Sequence, residues 1–204
     1  MRNFVIPLLL LIYSNVLFAE GDPISGKSKA IICIGCHGFD GNSSNSIYPK
    51  LAGQSESYLA KQLFDFKSGA RKDEHMSSMV EAIQTSDIPD IAAFFSSQKR
   101  KTNIEKTKGT EGTTNKLGQK IYYSGIFKKE IPACASCHGA KGAGNSVKKY
   151  PSLMLQHSRY ITKALKDFRS GIRSNDPNNM MRNVAANLSD KEIDALSTYI
   201  ESLN

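Results

Sequence analysis

All four cysteines of the 204-residue chain fall into two copies of one five-residue pattern, Cys33-Ile34-Gly35-Cys36-His37 and Cys134-Ala135-Ser136-Cys137-His138. Cys-x-x-Cys-His is the attachment motif of c-type haem. Two thiols one helical turn apart each reach a haem vinyl group to form a thioether. The adjacent imidazole then lies over the macrocycle with a ring nitrogen toward the iron. Three other readings compete. Disulfides are common in exported chains, but they do not account for a His at the same place twice. A redox dithiol belongs in a strand–helix setting, and nothing in this chain reads as strands. A zinc cluster asks for a fourth ligand and reduced thiolates. The expectation is two covalently bound haem c groups, with Cys33, Cys36, Cys134 and Cys137 as thioether donors and His37 and His138 on the irons.

The composition agrees. The length allows one large domain or two of about 100 residues, and at 40% hydrophobic with no Trp the chain has little apolar material to divide. Small domains are hard to stabilise unaided, so one porphyrin per domain supplies the missing hydrophobic centre. Neither a disordered chain nor a polytopic membrane protein fits these figures.

Residues 1–19 read as a secretory signal: Arg2 gives a positive start, an apolar run follows from Phe4 to Tyr13, and Ala19 precedes a polar Glu20-Gly21-Asp22-Pro23. The run is shorter than the roughly 20 residues that span a bilayer. Cleavage and a bacterial periplasmic location are expected, with the site free to move by a residue or two because Leu17 stands three residues before the cut.

The two halves repeat. Residues 48–71 align with 150–173 at an offset of 102, with identities that include Pro49/Pro151, Gln54/Gln156, Tyr58/Tyr160 and Arg71/Arg173. Each half closes on a helix, one from Ser86 to Gln98 and one from Lys191 to Leu203. Pro89 and Asp90 suit the first turn of the former, and Ser189 with Glu192 offers a capping box to the latter. The domains expected are 20–98 and 116–204, joined by a Lys/Thr-rich linker at 99–115.

At the helix offset, Met76 falls opposite Met181, and each precedes an aliphatic residue, Ile83 or Leu188, by seven positions. The repeat therefore selects Met76 and Met181 as the second axial ligands. His75 is the rival in the first half and has no counterpart in the second. Met79 and Met154 read as core fillers, and His157 as a surface or capping residue at a helix start. Pro49 and Pro151 come 12 and 13 residues after the haem His. Their carbonyls suit the remaining ring N–H of each metal-bound His, with a plain turn as the alternative. Arg71, Arg173, Tyr58 and Tyr160 are matched polar residues that could meet haem propionates, although surface charge and helix packing explain them about as well.

Taken together, Cys33–His37, the PKLAGQ stretch at 49–54, Tyr58–Leu63, Gly69-x-Arg71, the Met-to-helix spacing, AAFFSSQ at 92–98, PACASCHG at 132–139 and DFRSGIRSNDP at 167–177 resemble the dihaem cytochrome c4 family. The resemblance spans the whole mature chain. It implies an all-α fold of two class I cytochrome c domains, each with one His/Met haem. It also implies electron transfer from a quinol–cytochrome c reductase to a membrane cytochrome oxidase. Leu155 stands where the family has Gly before Gln156, which could alter the loop over the second haem, and Ser77-Ser78 follow Met76.

Without the signal, the first domain holds 7 basic and 10 acidic residues, net −3, whereas the second holds 14 and 7, net +7. An exported chain has no nucleic acid to meet. The asymmetry suggests a dipolar molecule that docks different redox proteins at its two ends; a solvated surface without a specific partner is the plain alternative. The reading is a one-electron carrier per haem, not an enzyme, with peripheral membrane association left open. Its rivals are an electron-relay subunit of a periplasmic dehydrogenase, such as a sulfide-oxidising flavoprotein, and a dihaem dehydrogenase or peroxidase with an open iron position.

Overall fold

The computed structural model describes residues 21–102 and 113–204, so the expected signal segment and linker residues 103–112 lie outside the described residues. Within the described residues the fold is all-helical, and extended backbone pairs only at two isolated bridges, Ile126–Ile131 and Asn145–Tyr150. The first half carries α1 (Pro23–Lys29), α2 (Ile34–His37), α3 (Glu56–Lys67), α4 (Met76–Met79) and α5 (Ile88–Ser97). The second carries α6 (Thr113–Ser124), α7 (Ala135–His138), α8 (Ser158–Ser170), α9 (Met180–Ala186) and α10 (Asp190–Ser202). Helix α6 begins inside the segment expected as linker.

Local chemistry sets these boundaries. The Asp22 carboxylate accepts from the amides of Ile24 and Ser25, with Pro23 at the first helical position. Such a residue satisfies amides that a helix start leaves without partners. Ser55 caps α3 through the amide of Tyr58. The capping box on α10 is present in both directions, between Ser189 and Glu192. Ser189→Ala removes it and is expected to cost about 1 kcal/mol. Thermal unfolding of the holoprotein should then show the second domain melting roughly 4–8 °C lower, and an unchanged melt would mean that packing alone holds this helix end.

Each half builds its own core. In the first, Leu59 and Phe66 of α3 meet Ile88, Ile91 and Phe95 of α5. In the second, Ile121 of α6 and Ile161 of α8 meet Ile193, Leu196 and Ile200 of α10. Helix α1 crosses α5, and α6 crosses α10 in the same manner. Both crossings are made over a glycine. A Cβ on Gly26 would lie 1.9 Å from the Asp90 carbonyl oxygen, and one on Gly118 would lie 2.0 Å from that of Ala195. Only hydrogen fits in either place.

The start of the expected linker is packed between the halves. The Arg100 guanidinium donates to the carbonyls of Ala52 (2.7 Å) and Met154 (2.7 Å) and to the Ser152 hydroxyl (3.0 Å). Burial pulls its pKa down to about 10. Leu155 does not redirect its loop. It takes the left-handed backbone (φ +57°) that Gly53 takes in the first half (φ +62°). The conformation costs a residue with a Cβ about 1–2 kcal/mol, against which Leu155 buries its side chain and donates its amide to Leu203.

Candidate haem sites

Both Cys-x-x-Cys-His runs fold the same way. The second Cys and the His lie in one short helical turn, α2 or α7, and each turn stops at a glycine with φ +82°, Gly38 or Gly139. Both imidazoles are buried. His37 Nδ1 lies 2.9 Å from the Pro49 carbonyl, and His138 Nδ1 lies 2.9 Å from that of Pro151. A carbonyl can only accept, so each Nδ1 carries the proton and each Nε2 keeps its lone pair free for coordination. Burial holds both imidazoles below their usual pKa, against a smaller upward pull from the proline carbonyl. Neutral imidazole is the coordinating form. The rings of Tyr48 and Tyr150 stand at matched places beside them, 6.2 and 6.3 Å between centroids.

All four cysteines are free thiols. Burial, with a smaller push from the partner cysteine, raises Cys33 to about 11. Burial likewise raises Cys134 to about 11. A buried thiol of raised pKa is a poor redox nucleophile. Among the described residues no three His, Cys, Asp or Glu side chains are grouped to hold a metal ion. The disulfide, dithiol and zinc readings find no support among the described residues. One largely apolar cavity instead runs through both halves, lined by Cys33, Cys36 and His37 on one side and Cys134, Cys137 and His138 on the other.

Met76 and Met181 line this cavity and are half-buried. Met76 opens α4 and is set by Asp73, whose carboxylate accepts from the amides of His75 (3.1 Å) and Met76 (3.2 Å). Met181 lies in the first turn of α9, after two left-handed residues, Asn178 and Asn179. There Asp176 accepts from the Arg182 amide (2.9 Å). Ile83 and Leu188, the aliphatic residues seven positions on, are buried in the two cores. His75 also lines the cavity but is exposed. Met79 is not a core filler. It is 40% exposed at the cavity rim, because α4 is a single turn and carries it outward. Met154 is half-buried.

The four polar residues matched by the repeat meet between the halves, and each arginine reaches the tyrosine of the opposite one. Arg71 Nη2 lies 3.3 Å from the Tyr160 hydroxyl, and Arg173 Nη2 lies 3.1 Å from that of Tyr58. Arg71 stacks over Phe66 and Arg173 over Phe168, both at 4.4 Å. All four line the cavity, which removes the surface-charge reading; both guanidinium groups also bond Gln62 (2.8 and 3.1 Å), so the packing role stands beside the propionate one. Free thioether donors, neutral imidazoles, apolar walls and paired cations together fit a covalently held haem in each half.

His157 overturns its expectation. It stands at the N-cap position of α8 without capping it, and it is 2% exposed. Its Nε2 lies 2.8 Å from the Ser43 carbonyl of the other half.

The Cytochrome c family model matches residues 27–99 and 115–204, one domain in each half. A cytochrome c4 from Stutzerimonas stutzeri is 41% identical over 100% of both chains. The chain belongs to the cytochrome c4 family. It is a dihaem electron-transfer cytochrome whose two domains each bind a haem c covalently. The crystal structure of reduced recombinant cytochrome c4 from Pseudomonas stutzeri is similar with a TM-score of 0.84 at 42% identity, covering 90% of this cytochrome and 100% of that chain. A thiosulfate dehydrogenase electron acceptor from Stutzerimonas stutzeri (strain A1501) is 30% identical, covering 95% of this cytochrome and 91% of its own length. Sequence reasoning passed over Tyr48, Tyr150, Gln54 and Gln156 as site residues, although the repeat had matched each pair.

Proposed function

We propose that this cytochrome is an exported, periplasmic one-electron carrier per haem, working between a quinol–cytochrome c reductase type donor and a terminal oxidase. The observation that carries it is the duplicated imidazole held at 2.9 Å on a proline carbonyl with its other nitrogen free. Cys33, Cys36, Cys134 and Cys137 form the thioethers. His37 with Met76, and His138 with Met181, would ligate the two irons. Pro49 and Pro151 fix the two imidazole planes, and Arg71, Arg173, Tyr58 and Tyr160 bind propionates. Leu59, Phe95, Leu196 and Ile200 give the cavity apolar walls that keep water off. A haem held there would supply one-electron ferric/ferrous chemistry, at a potential that methionine ligation raises. With a His and a Met committed to each iron, a substrate would find no open coordination position, which disfavours the dehydrogenase and peroxidase readings. Within the described residues no helix is long and apolar enough to cross a membrane.

A second reading has its own support: the relative named as a thiosulfate dehydrogenase electron acceptor favours an electron relay serving a periplasmic dehydrogenase. The test of the carrier is absorption and EPR spectroscopy of the purified holoprotein. Two low-spin haems, each with a near-infrared methionine–iron band, are expected. A high-spin haem that binds peroxide, cyanide or thiosulfate would overturn it. Co-purification with a dehydrogenase at physiological salt would favour the relay.

A further inference from the structure

We propose that the residue steadying each axial histidine stands in the opposite domain: Gln54 is a positioning residue for His138, and Gln156 is one for His37. The inference rests on the reading that both histidines ligate iron. Its observation is a pair of crossed contacts. Gln54 Oε1 accepts from the Ser152 amide (2.7 Å), and its Nε2 donates to the Ser152 carbonyl (3.0 Å). Gln156 Oε1 accepts from the Lys50 amide (2.8 Å), and its Nε2 donates to the Lys50 carbonyl (3.0 Å).

The amide hydrogen of Ser152 and the carbonyl oxygen of Pro151 belong to one planar peptide group. Gln54 therefore grips one end of the peptide whose other end accepts from His138. Gln156 likewise grips the Pro49–Lys50 peptide, whose oxygen accepts from His37. A rigid plane held at its amide cannot tilt its carbonyl away from the imidazole. Hydrogen bonds in series also polarise one another, so each glutamine makes the proline carbonyl a stronger acceptor. Gln54, Gln156, Lys50 and Ser152 are all buried, at 4%, 3%, 1% and 6% exposure, so solvent is poorly placed to take over from a missing glutamine. In the same direction, His157 beside Gln156 reaches the Ser43 carbonyl, and the Ser43 hydroxyl donates to the Cys36 carbonyl (2.8 Å).

A firmer hydrogen bond at Nδ1 makes an imidazole a more basic ligand, which favours ferric iron. Gln54→Met keeps length and bulk and removes both bonds. It is expected to shift the reduction equilibrium of the second-domain haem roughly threefold to tenfold toward the ferrous form. Deleting a partner that bonds the ligand directly typically costs about 10–100-fold in metal affinity or activity, and Gln54 acts one bond further out. The first-domain haem should move little. Gln156→Met should give the mirror result.

The experiment is spectroelectrochemical titration of the holoprotein variants. NMR contacts to Ile34 or Ala135 tell the two haems apart. Where a methionine variant yields no holoprotein, Gln54→Glu replaces it. Facing the Ser152 carbonyl at 3.0 Å, the buried side chain keeps its proton and donates there. Its neutral carboxyl oxygen accepts from the Ser152 amide more weakly than an amide oxygen does, and the second-domain haem should shift more than the first, toward the ferrous form. A shift confined to the mutated domain's own haem, an equal shift of both, or no shift overturns the crossing while leaving the ligand reading standing. Absence of hyperfine-shifted imidazole signals from the wild-type haems would sink the ligand reading, and the crossing with it.

Discussion

Met181→Ala is expected to open the second haem, and only that one, to external ligands. Met181 lines the cavity, as His138 and Cys134 do, and the repeat pairs it with Met76 of the first half. Removing its thioether leaves a small side chain in the first turn of α9. Cyanide or imidazole should then bind about one equivalent per protein, and the near-infrared methionine–iron absorption should fall by roughly half. The potential of the altered haem should drop by on the order of 0.1–0.3 V, a fraction of the about 0.8 V over which axial ligands spread haem potentials. A cyanide titration in the visible, a near-infrared spectrum and a spectroelectrochemical titration of the variant check the three in turn. Binding at the first haem would show that the alignment of Met76 with Met181 is wrong. No binding at either would show that Met180, which lines the same cavity, is the residue that closes the coordination sphere.

Gly118→Ala should strongly destabilise the second domain. The added carbon would sit 2.0 Å from the Ala195 carbonyl oxygen and 2.7 Å from Tyr199 Cβ. Neither is the far end of a flexible side chain, so α6 would have to lift off α10 by more than an ångström. That lift parts Ile121 from the core formed by Ile193, Leu196 and Ile200. Overpacking of this kind reaches about 3 kcal/mol, or a melting point lower by about 12 °C or more for a domain of this size. Calorimetry of the holoprotein should show the loss in one domain only. Gly26→Ala should do the same to the first domain through Asp90. Gly35→Ser is the control: a Cβ there meets nothing within 4 Å, and Ser136 already holds that place in the other motif. An unchanged melt for Gly118→Ala would mean that the two helices cross less closely than their backbones imply.

The legible parts of this fold were those with a local chemical reason or a constant spacing. The capping box at Ser189, the Pro-Asp start of α5 and the proline carbonyls beside the histidines all follow from neighbours a few residues apart or from the register of the repeat. The α1–α5 and α6–α10 correspondence was hidden by a change of spacing. Gly26 stands 7 residues before Cys33, whereas Gly118 stands 16 before Cys134, because a loop that pairs Ile126 with Ile131 intervenes. His157 misled for another reason. A helix-start position says what the backbone does there, but nothing about which distant segment covers the ring. Gln54 and Gln156 were visible as identities, yet a matched residue looks the same whether it serves its own domain or the other. Periodicity records that two residues are equivalent, and only packing shows where each is spent.

Crossed contacts between equivalent residues have a consequence for descent. Gln54 on the 152 loop and Gln156 on the 50 loop, with Arg71 to Tyr160 and Arg173 to Tyr58, form the pattern in which patch i meets j and j meets i. That is the signature of an isologous contact, the kind two identical subunits make about a two-fold axis. The seam of this cytochrome therefore has the form of a homodimer interface enclosed in one polypeptide. Lys50 opposite Ser152 and Gln62 opposite Ala164 mark where the two copies have since diverged. A dimer with identical halves must keep both irons alike; joining the halves in one chain lifts that constraint and leaves each iron free to take a potential of its own.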